Sequence, residues 1–387
     1  MKSAGFSLPV LCGLLLLGAG CARFNQGFYP IGLYSVPSTN DLARVKASGF
    51  NLVTGPADRS YLDAAGAAGL RVLAMPGTSA GPHFNAGVAR REVSALDSHP
   101  ALWAWYLVDE PDLNRVAPSA VVRAQRFFKQ LNASKPTALV LFKGSEALDY
   151  ANIADITMID RYPVPWLPLA NFGQHVRMVR LALGPKKPLV AVIQSFDWSY
   201  YPELVPGEKN LRAPTFQELR CMTYCALANR ATGIFYYAFD AGRWKILDHP
   251  ASWEALSEVV REVNARLPLF TAEQRWWPYR HDFGFWDRRF NAALESSIAV
   301  ALLRVNHGNP LVPPGDYLLA VNTTDELQVY RITLPHPHGG TIPVYGENRS
   351  LTVHDSWMED EFVPYAVHIY GPLPGDDPGE ELVHSRN

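Results

Sequence analysis

Little in this chain suggests a partner bound through charge or a fold held by cross-links. It has 387 residues but only 4 cysteines, and 35 basic against 37 acidic residues give a formal net charge of -2. Such a balance gives no electrostatic basis for binding nucleic acid or an anionic membrane surface. Cys221 and Cys225 are four residues apart in a predicted helix, where a disulfide would be strained. We therefore interpret them as buried structural residues.

The sequence also lacks patterns that would direct it to other functions. Its N-terminal apolar run is too short to span a membrane, and no other is as long. A glycine-rich nucleotide loop does not follow any early strand, and the histidines show no metal-ligand spacing. We therefore expect no cofactor and no metal.

The N-terminus carries the features of an export signal. Lys2 provides a positive charge, Leu8 to Leu17 are mostly apolar, and Gly18-Ala19-Gly20 precede Cys21. This succession resembles a bacterial lipobox, although Gly18 stands where leucine is usual. The resemblance implies that residues 1–21 are a lipoprotein signal and that lipidated Cys21 anchors an exported protein, periplasmic or surface-facing, which contacts the membrane only through that anchor. An ordinary cleaved signal is the alternative.

The most informative segment runs from Trp103 to Asp112. An apolar, aromatic stretch ends in Asp109-Glu110-Pro111, and continuous hydrophobic residues are typical of a buried strand in a parallel sheet. Pro111 ends such a strand. Two carboxylates beside three aromatic residues are costly to bury unless they are used.

Strand-like and helix-like segments alternate from Asn25 onward, which predicts a (β/α)8 barrel over residues 25–267. The predicted helices include one that a capping box, Thr215 to Glu218, opens. The eight predicted strands are Gly27–Val36, Phe50–Pro56, Arg71–Gly77, Ala101–Glu110, Thr137–Lys143, Asp155–Val164, Pro188–Phe196 and Gly233–Asp240.

The pattern changes after the barrel. Short segments rich in β-branched and aromatic residues, separated by turn-prone stretches, predict a small antiparallel β-sandwich over residues 268–373. The polar tail, residues 374–387, is rich in proline and glycine and is predicted to be disordered. The predicted sandwich strands are Ile298–Val305, Gly315–Val321, Gln328–Leu334, Thr341–Tyr345 and Tyr365–Tyr370.

Residues at the C-terminal ends of barrel strands converge on one pocket. Carboxylates with tyrosine and tryptophan walls suit acid–base chemistry on a sugar, which needs one protonated and one ionised carboxyl group. We predict four catalytic candidates: Asp109, Glu110, Asp160 and Asp240. The predicted substrate-binding residues are Tyr34, Lys143, Tyr162, Gln194, Asp197, Trp198 and Tyr237.

These motifs resemble those of clan-A-type glycoside hydrolases. The resemblance rests on Trp105 to Pro111, on Asp160-Arg161-Tyr162-Pro163-Val164 and on Ala238-Phe239-Asp240. It implies that Glu110 is the general acid of an enzyme acting on oligo- or polysaccharide at the cell envelope. The clan's nucleophile is a glutamate at the end of the seventh strand, where this chain has Gln194.

Three mechanisms stay open at this point. Asp197 or Glu203 supplies a displaced nucleophile, or Asp160 or Asp240 acts as a base on water. In the third, Asp109 orients a substrate acetamido group that itself attacks, with Glu110 as acid and Tyr162 steadying the charge. The alternative function is a catalytically inactive, carbohydrate-binding barrel lipoprotein, for which Gln194 is the main argument. A purely structural lipoprotein would leave the clustered carboxylates unexplained.

Overall fold

Eight parallel strands close into a barrel in the computed structural model, which describes residues 28–275, 297–334, 339–355 and 357–373. The ring closes at β1, where Gly32 pairs with Leu52 of β2 on one side and Phe235 of β8 on the other. The barrel prediction is therefore confirmed. The strands are β1 Ile31–Leu33, β2 Leu52–Pro56, β3 Arg71–Met75, β4 Leu102–Val108, β5 Thr137–Leu141, β6 Ile156–Arg161, β7 Leu189–Gln194 and β8 Gly233–Tyr237.

Helices cover the outside of the barrel, and several begin at side-chain caps that were visible in the sequence. Asp58 accepts a hydrogen bond from the Tyr61 amide, and Thr215 and Glu218 form the predicted capping box of α7. The helices are α1 Leu42–Ala47, α2 Arg59–Ala67, α3 Ala86–Leu96, α4 Pro118–Gln130, α5 Ala147–Tyr150, α6 Leu169–Leu183, α7 Phe216–Ala228, α8 Pro250–Ala265 and α9 Leu267–Phe270.

Alternation along the strands divides the barrel residues between two cores. One side of each strand packs against the helices, and the other fills the interior with a separate cluster that includes Leu73, Val140, Met158 and Phe235. Gly32 has no side chain because a Cβ atom there would lie 2.3 Å from the Phe235 ring. The interior of the barrel is thus filled by side chains.

Two antiparallel sheets follow the barrel, as predicted. A six-stranded sheet has the order β14-β13-β16-β11-β10-β9, and β12 pairs with β15 in a two-stranded sheet. The strands are β9 Glu273–Arg275, β10 Ile298–Val305, β11 Gly315–Asn322, β12 Gln328–Thr333, β13 Thr341–Val344, β14 Arg349–Thr352, β15 Trp357–Phe362 and β16 Val367–Tyr370.

The six-stranded sheet has a different partner on each face. Leu303 and Leu319 belong to the same apolar cluster as the barrel strands and helices, whereas Leu318 and Met358 belong to the cluster between the two sheets. The Cys221 thiol of α7 donates a hydrogen bond to the Asn322 carbonyl of β11 at 3.3 Å. Cys221 and Cys225 are both buried, as expected for structural residues.

Several sequence predictions lie outside the described residues: the signal segment with Cys21, and the tail from residue 374. In the part of the chain that the structure describes, no helix is both long and apolar enough to cross a membrane. The same residues contain no cluster of three or more His, Cys, Asp or Glu side chains suited to hold a metal ion.

Candidate active site

A pocket of about 650 Å³ lies at the C-terminal end of the barrel. Its walls combine three carboxylic acids with an arginine and a ring of aromatic side chains. Asp109 and Glu110 come from the end of β4, and Asp160 from β6. The aromatic and cationic residues are Tyr34, Tyr106, Phe142, Arg161, Tyr162, Trp166, Phe196, Trp198, Tyr201 and Tyr237.

The backbone after β4 brings two adjacent carboxylates to one pocket. Neighbouring side chains of a regular strand point to opposite faces. Here the register between β4 and β5 shifts between Tyr106 and Val108, and Glu110 has a left-handed backbone with φ of 40°. Non-glycine residues with that conformation are uncommon and concentrate at functional sites. Asp109 and Glu110 therefore both line the pocket although they are consecutive.

Glu110 and Asp160 are in contact through their carboxyl groups. Asp160 is only 4% exposed, and burial together with the charge of Glu110 raises its pKa well above the usual range. Burial also raises the pKa of Glu110 to about 6, although a hydrogen bond from Asp160 lowers it. The buried Asp160 therefore retains its proton and donates it to Glu110. Asp160 Oδ1 is buried and has no other hydrogen-bond partner among the described residues, so this is the oxygen that we assign to the contact with Glu110.

Tyrosine hydroxyls hold the other carboxylate oxygens. The Tyr162 hydroxyl donates to Asp160 Oδ2 at 2.9 Å, and the Tyr106 hydroxyl donates to Asp109 Oδ1 at 2.5 Å. Desolvation raises the pKa of Asp109, while the Tyr106 hydrogen bond lowers it by favouring the ionised form. Tyr34 contacts the Tyr106 hydroxyl at 3.4 Å. The acids of the pocket are therefore held in fixed positions and differ in their pKa values.

Aromatic rings form one continuous wall. Tyr162 stacks on Tyr237 with ring centroids 5.4 Å apart, and Phe196 packs edge-on against Tyr162 at 5.2 Å. Trp166 and Trp198 lie 5.2 Å from each other at the mouth. Flat aromatic surfaces of this kind suit the apolar faces of sugar rings.

Gln194 lies at the end of β7 but does not line the pocket. It is completely buried, and its Oε1 accepts a hydrogen bond from the Val164 amide at 2.9 Å. Its Nε2 donates to the carbonyls of Val164 and Phe196 at 2.9 and 3.3 Å. The amide therefore braces the segment after β6, which corrects its assignment as a substrate-binding residue.

Three further candidates also point away from the pocket. Phe142 and Phe196 take the inward positions, so the neighbouring Lys143 and Asp197 do not line the pocket. Asp197 instead accepts a hydrogen bond from the Ser199 amide at 2.7 Å. Asp240 accepts from the Gly242 amide at 2.8 Å and lies 3.7 Å from the Lys245 ammonium. These contacts explain Asp197 and Asp240 as capping and loop groups.

The structure brings the remaining candidates together and adds others. Asp109, Glu110, Asp160, Tyr34, Tyr162, Trp198 and Tyr237 share the pocket as predicted. Tyr106, Phe142 and Phe196 also line the pocket but were not among the predicted site residues. Side chains alternate between the two faces of a strand, so counting every second residue along each strand, as from Asp160 on β6, would have indicated inward positions. Arg161, at the end of β6, also lines the pocket.

The fold is that of known glycoside hydrolases. No protein-family model and no curated protein sequence matches the chain. A β-galactosidase from Bacillus circulans sp. alkalophilus is similar over 90% of this chain and 99% of its own, with a TM-score of 0.61 and 9% identity. A family 5 glycoside hydrolase from Bacteroides vulgatus is similar over 89% of each chain, with a TM-score of 0.55 and 12% identity. The GH42 β-galactosidase Gan42B from G. stearothermophilus gives a TM-score of 0.56 and 11% identity over 89% of this chain and 98% of its own.

Proposed function

We propose that this protein is a glycoside hydrolase acting on oligo- or polysaccharide, with Glu110 as the general acid. The observation that carries the proposal is the Glu110–Asp160 pair in an aromatic pocket. Burial raises the pKa of Glu110 to about 6, so a substantial fraction of it is protonated under mildly acidic conditions. A carboxylic acid of that strength suits proton transfer to a departing sugar oxygen.

The three carboxyl groups take different parts in this reaction. Glu110 gives its proton to the glycosidic oxygen as the bond to the anomeric carbon breaks. Asp109 supplies the negative charge that stabilises the positive charge growing on the sugar. Asp160 and Tyr162 form a hydrogen-bonded support that fixes the position of Glu110.

The hydrogen bond between Glu110 and Asp160 argues against Asp160 as the opposing carboxylate of a standard mechanism. Paired carboxyl groups are about 5–5.5 Å apart in retaining enzymes and about 6.5–9.5 Å apart in inverting ones. Glu110 and Asp160 instead share a hydrogen bond, which leaves no room for a sugar or a water between them. Asp197, Glu203 and Asp240 are absent from the pocket wall as well. This arrangement favours the substrate-assisted mechanism, in which Asp109 orients an acetamido group.

We also propose that the enzyme works at a bacterial cell envelope, anchored through lipidated Cys21. The support is the charged, apolar and small-residue succession that ends at this cysteine. Its substrate would then be a glycan outside the cytoplasm.

The test is turnover of a broad set of glycosides by the wild type and the Glu110→Gln variant. We expect the variant to lose about 10²–10⁴-fold in turnover of glycosides with poor leaving groups, while binding is retained. Aryl glycosides with good leaving groups need less protonation and should lose much less. Glu203→Gln is the matched control, because Glu203 is an exposed residue paired with Arg243 outside the pocket.

Two results would contradict the proposal. Unchanged turnover of poor-leaving-group substrates by Glu110→Gln would remove Glu110 as the acid. Binding of a glycan by a wild type that hydrolyses none of the set would support the inactive, carbohydrate-binding alternative.

Faster cleavage of 2-acetamido glycosides than of matched 2-hydroxy glycosides would support the substrate-assisted mechanism.

A further inference from the structure

The pocket wall contains a guanidinium group that forms no ion pair with any carboxylate that the structure describes. Arg161 follows Asp160 at the end of β6 and is half-buried. Its Nε donates to Asn171 Oδ1 at 2.8 Å, and its Cζ lies 4.8 Å from the centre of the Phe142 ring. Within the described ranges, Arg161 makes no ion pair with an acidic side chain. Both of its contacts are therefore with neutral groups.

Three other buried or half-buried arginines in the described part of the chain are paired, which sets Arg161 apart from them. Arg220 and Arg266 both bind Glu262, and the guanidinium of Arg180 donates to three backbone carbonyl groups. Among the described residues, the guanidinium of Arg161 makes one hydrogen bond, through Nε. Its two Nη atoms keep their donors for something else.

Neighbouring titratable groups do not cancel this charge. Asp160 is the nearest acid in the chain, but its carboxyl group is committed to Glu110 and Tyr162. Burial and the charge of Arg161 lower the pKa of His175 to about 4, so His175 is neutral at neutral pH. Its Nδ1 accepts a hydrogen bond from the Gly144 amide at 2.8 Å.

We propose that Arg161 binds an oxyanion on the substrate, so that the pocket takes an acidic glycan carrying a uronate carboxylate or a sulfate ester. This rests on the proposed glycoside hydrolase function. A planar guanidinium that Asn171 and Phe142 hold in place is preorganised for two parallel hydrogen bonds to such a group. Arg161 and Glu110 line the same pocket, so the charged group would be bound in the pocket where cleavage takes place.

The test is a binding array of neutral, uronate-containing and sulfated oligosaccharides, probed with the full-length protein at two salt concentrations. We expect acidic glycans to bind best and to weaken as salt rises. Arg161→Gln should weaken binding of acidic glycans about 10- to 100-fold and leave neutral glycans unaffected. Arg126→Gln, on the exposed face of α4, removes the same charge and should change nothing. The uronate and sulfate arms decide which oxyanion is recognised.

Asn171→Asp provides a second variant in case Arg161→Gln folds poorly. An aspartate there would supply the missing counter-charge to Arg161 and compete with the ligand, while an acid in the first turn of α6 favours the helix. We expect it to reduce acidic-glycan binding with Arg161 intact. Neutral glycans bound and cleaved best, with Arg161→Gln unchanged, would overturn this inference and leave the hydrolase proposal standing. A protein that neither binds nor cleaves any of the three classes would overturn both.

Discussion

The side-chain amide of Gln194 and the backbone of Val164 form two reciprocal hydrogen bonds, each 2.9 Å long. The site thus offers Gln194 one N–H donor and two carbonyl acceptors, counting Phe196. An amide carries both a donor and an acceptor and fits this set, whereas an ionised carboxylate can only accept. This bracing role accounts for a glutamine rather than a glutamate at the end of β7.

We therefore predict that Gln194→Glu destabilises the protein by about 3 kcal/mol at neutral pH, because a buried charge would face two carbonyl oxygens. Burial raises the pKa of such a glutamate in the folded state, so its cost appears as pH rises above its unfolded pKa of about 4.3. Urea unfolding at pH 4 and pH 7.5 measures this difference. Gln217→Glu, exposed in the first turn of α7, is the control. Equal losses at both pH values would argue against the bracing role.

We predict that activity falls as pH rises above about 6, since Glu110 must be protonated to act as the acid. Asp160→Ala removes a donor that stabilises ionised Glu110, so the pKa of Glu110 rises and the alkaline limb moves to higher pH. Asp160→Asn keeps a donor and should leave the limb near its original position. The pH profile of kcat/KM for the two variants checks this. Loss of all activity in Asp160→Asn would instead assign Asp160 a direct part in the chemistry.

The two sheets and the barrel should unfold together, because the six-stranded sheet shares its apolar cluster with the barrel helices. The connecting segment Pro268–Tyr279 also supports joint unfolding, because Phe270 is buried against Tyr29 and Tyr224. Trp276 and Trp277 of this segment lie outside the described residues. Calorimetry should show one transition. Leu303→Ala creates a cavity at this junction and should lower the free energy of unfolding by about 2–5 kcal/mol. The midpoint temperature of the single transition should fall accordingly. Two well-separated transitions would contradict this prediction.

Export and anchoring through Cys21 are checked by the Cys21→Ser variant. A serine cannot be lipidated through a thioether, so we expect the variant to be released from membranes or left unprocessed. Fractionation of cells expressing either form, followed by the mass of the mature N-terminus, measures both. Wild-type behaviour of the variant would indicate an ordinary cleaved signal.

Sequence patterns predict the barrel well because each of its strands and helices has a local signal. The capping box at Thr215 and Glu218 marks the start of α7, which begins at Phe216. The strands β9, β14 and β15 were missed for physical reasons. β9 has only three residues, and β15 carries Glu359, Asp360 and Glu361. The buried Asp360 is stabilised by Arg349 and Tyr370, contacts that no local pattern reveals.

The sequence likewise predicts some features of the candidate site and misses others. Residues at strand ends could be identified, but their direction depends on one-residue shifts in the backbone. The register shift in β4 turns Asp109 and Glu110 into the pocket, whereas regular alternation turns Lys143 out of it. The pairing of Glu110 with Asp160 joins positions fifty residues apart. Only the closed barrel brings those two carboxyl groups together.

The shared cluster around α7 bears on how this protein can be divided or recombined. Of the thirteen residues of α7, ten are buried, because the barrel lies on one side of the helix and β11 on the other. A shortened version ending at Ala265 would present that second side to solvent as a broad apolar patch, which promotes self-association. The barrel is therefore not an interchangeable module, and recombinant truncations should retain the sheets to stay monodisperse.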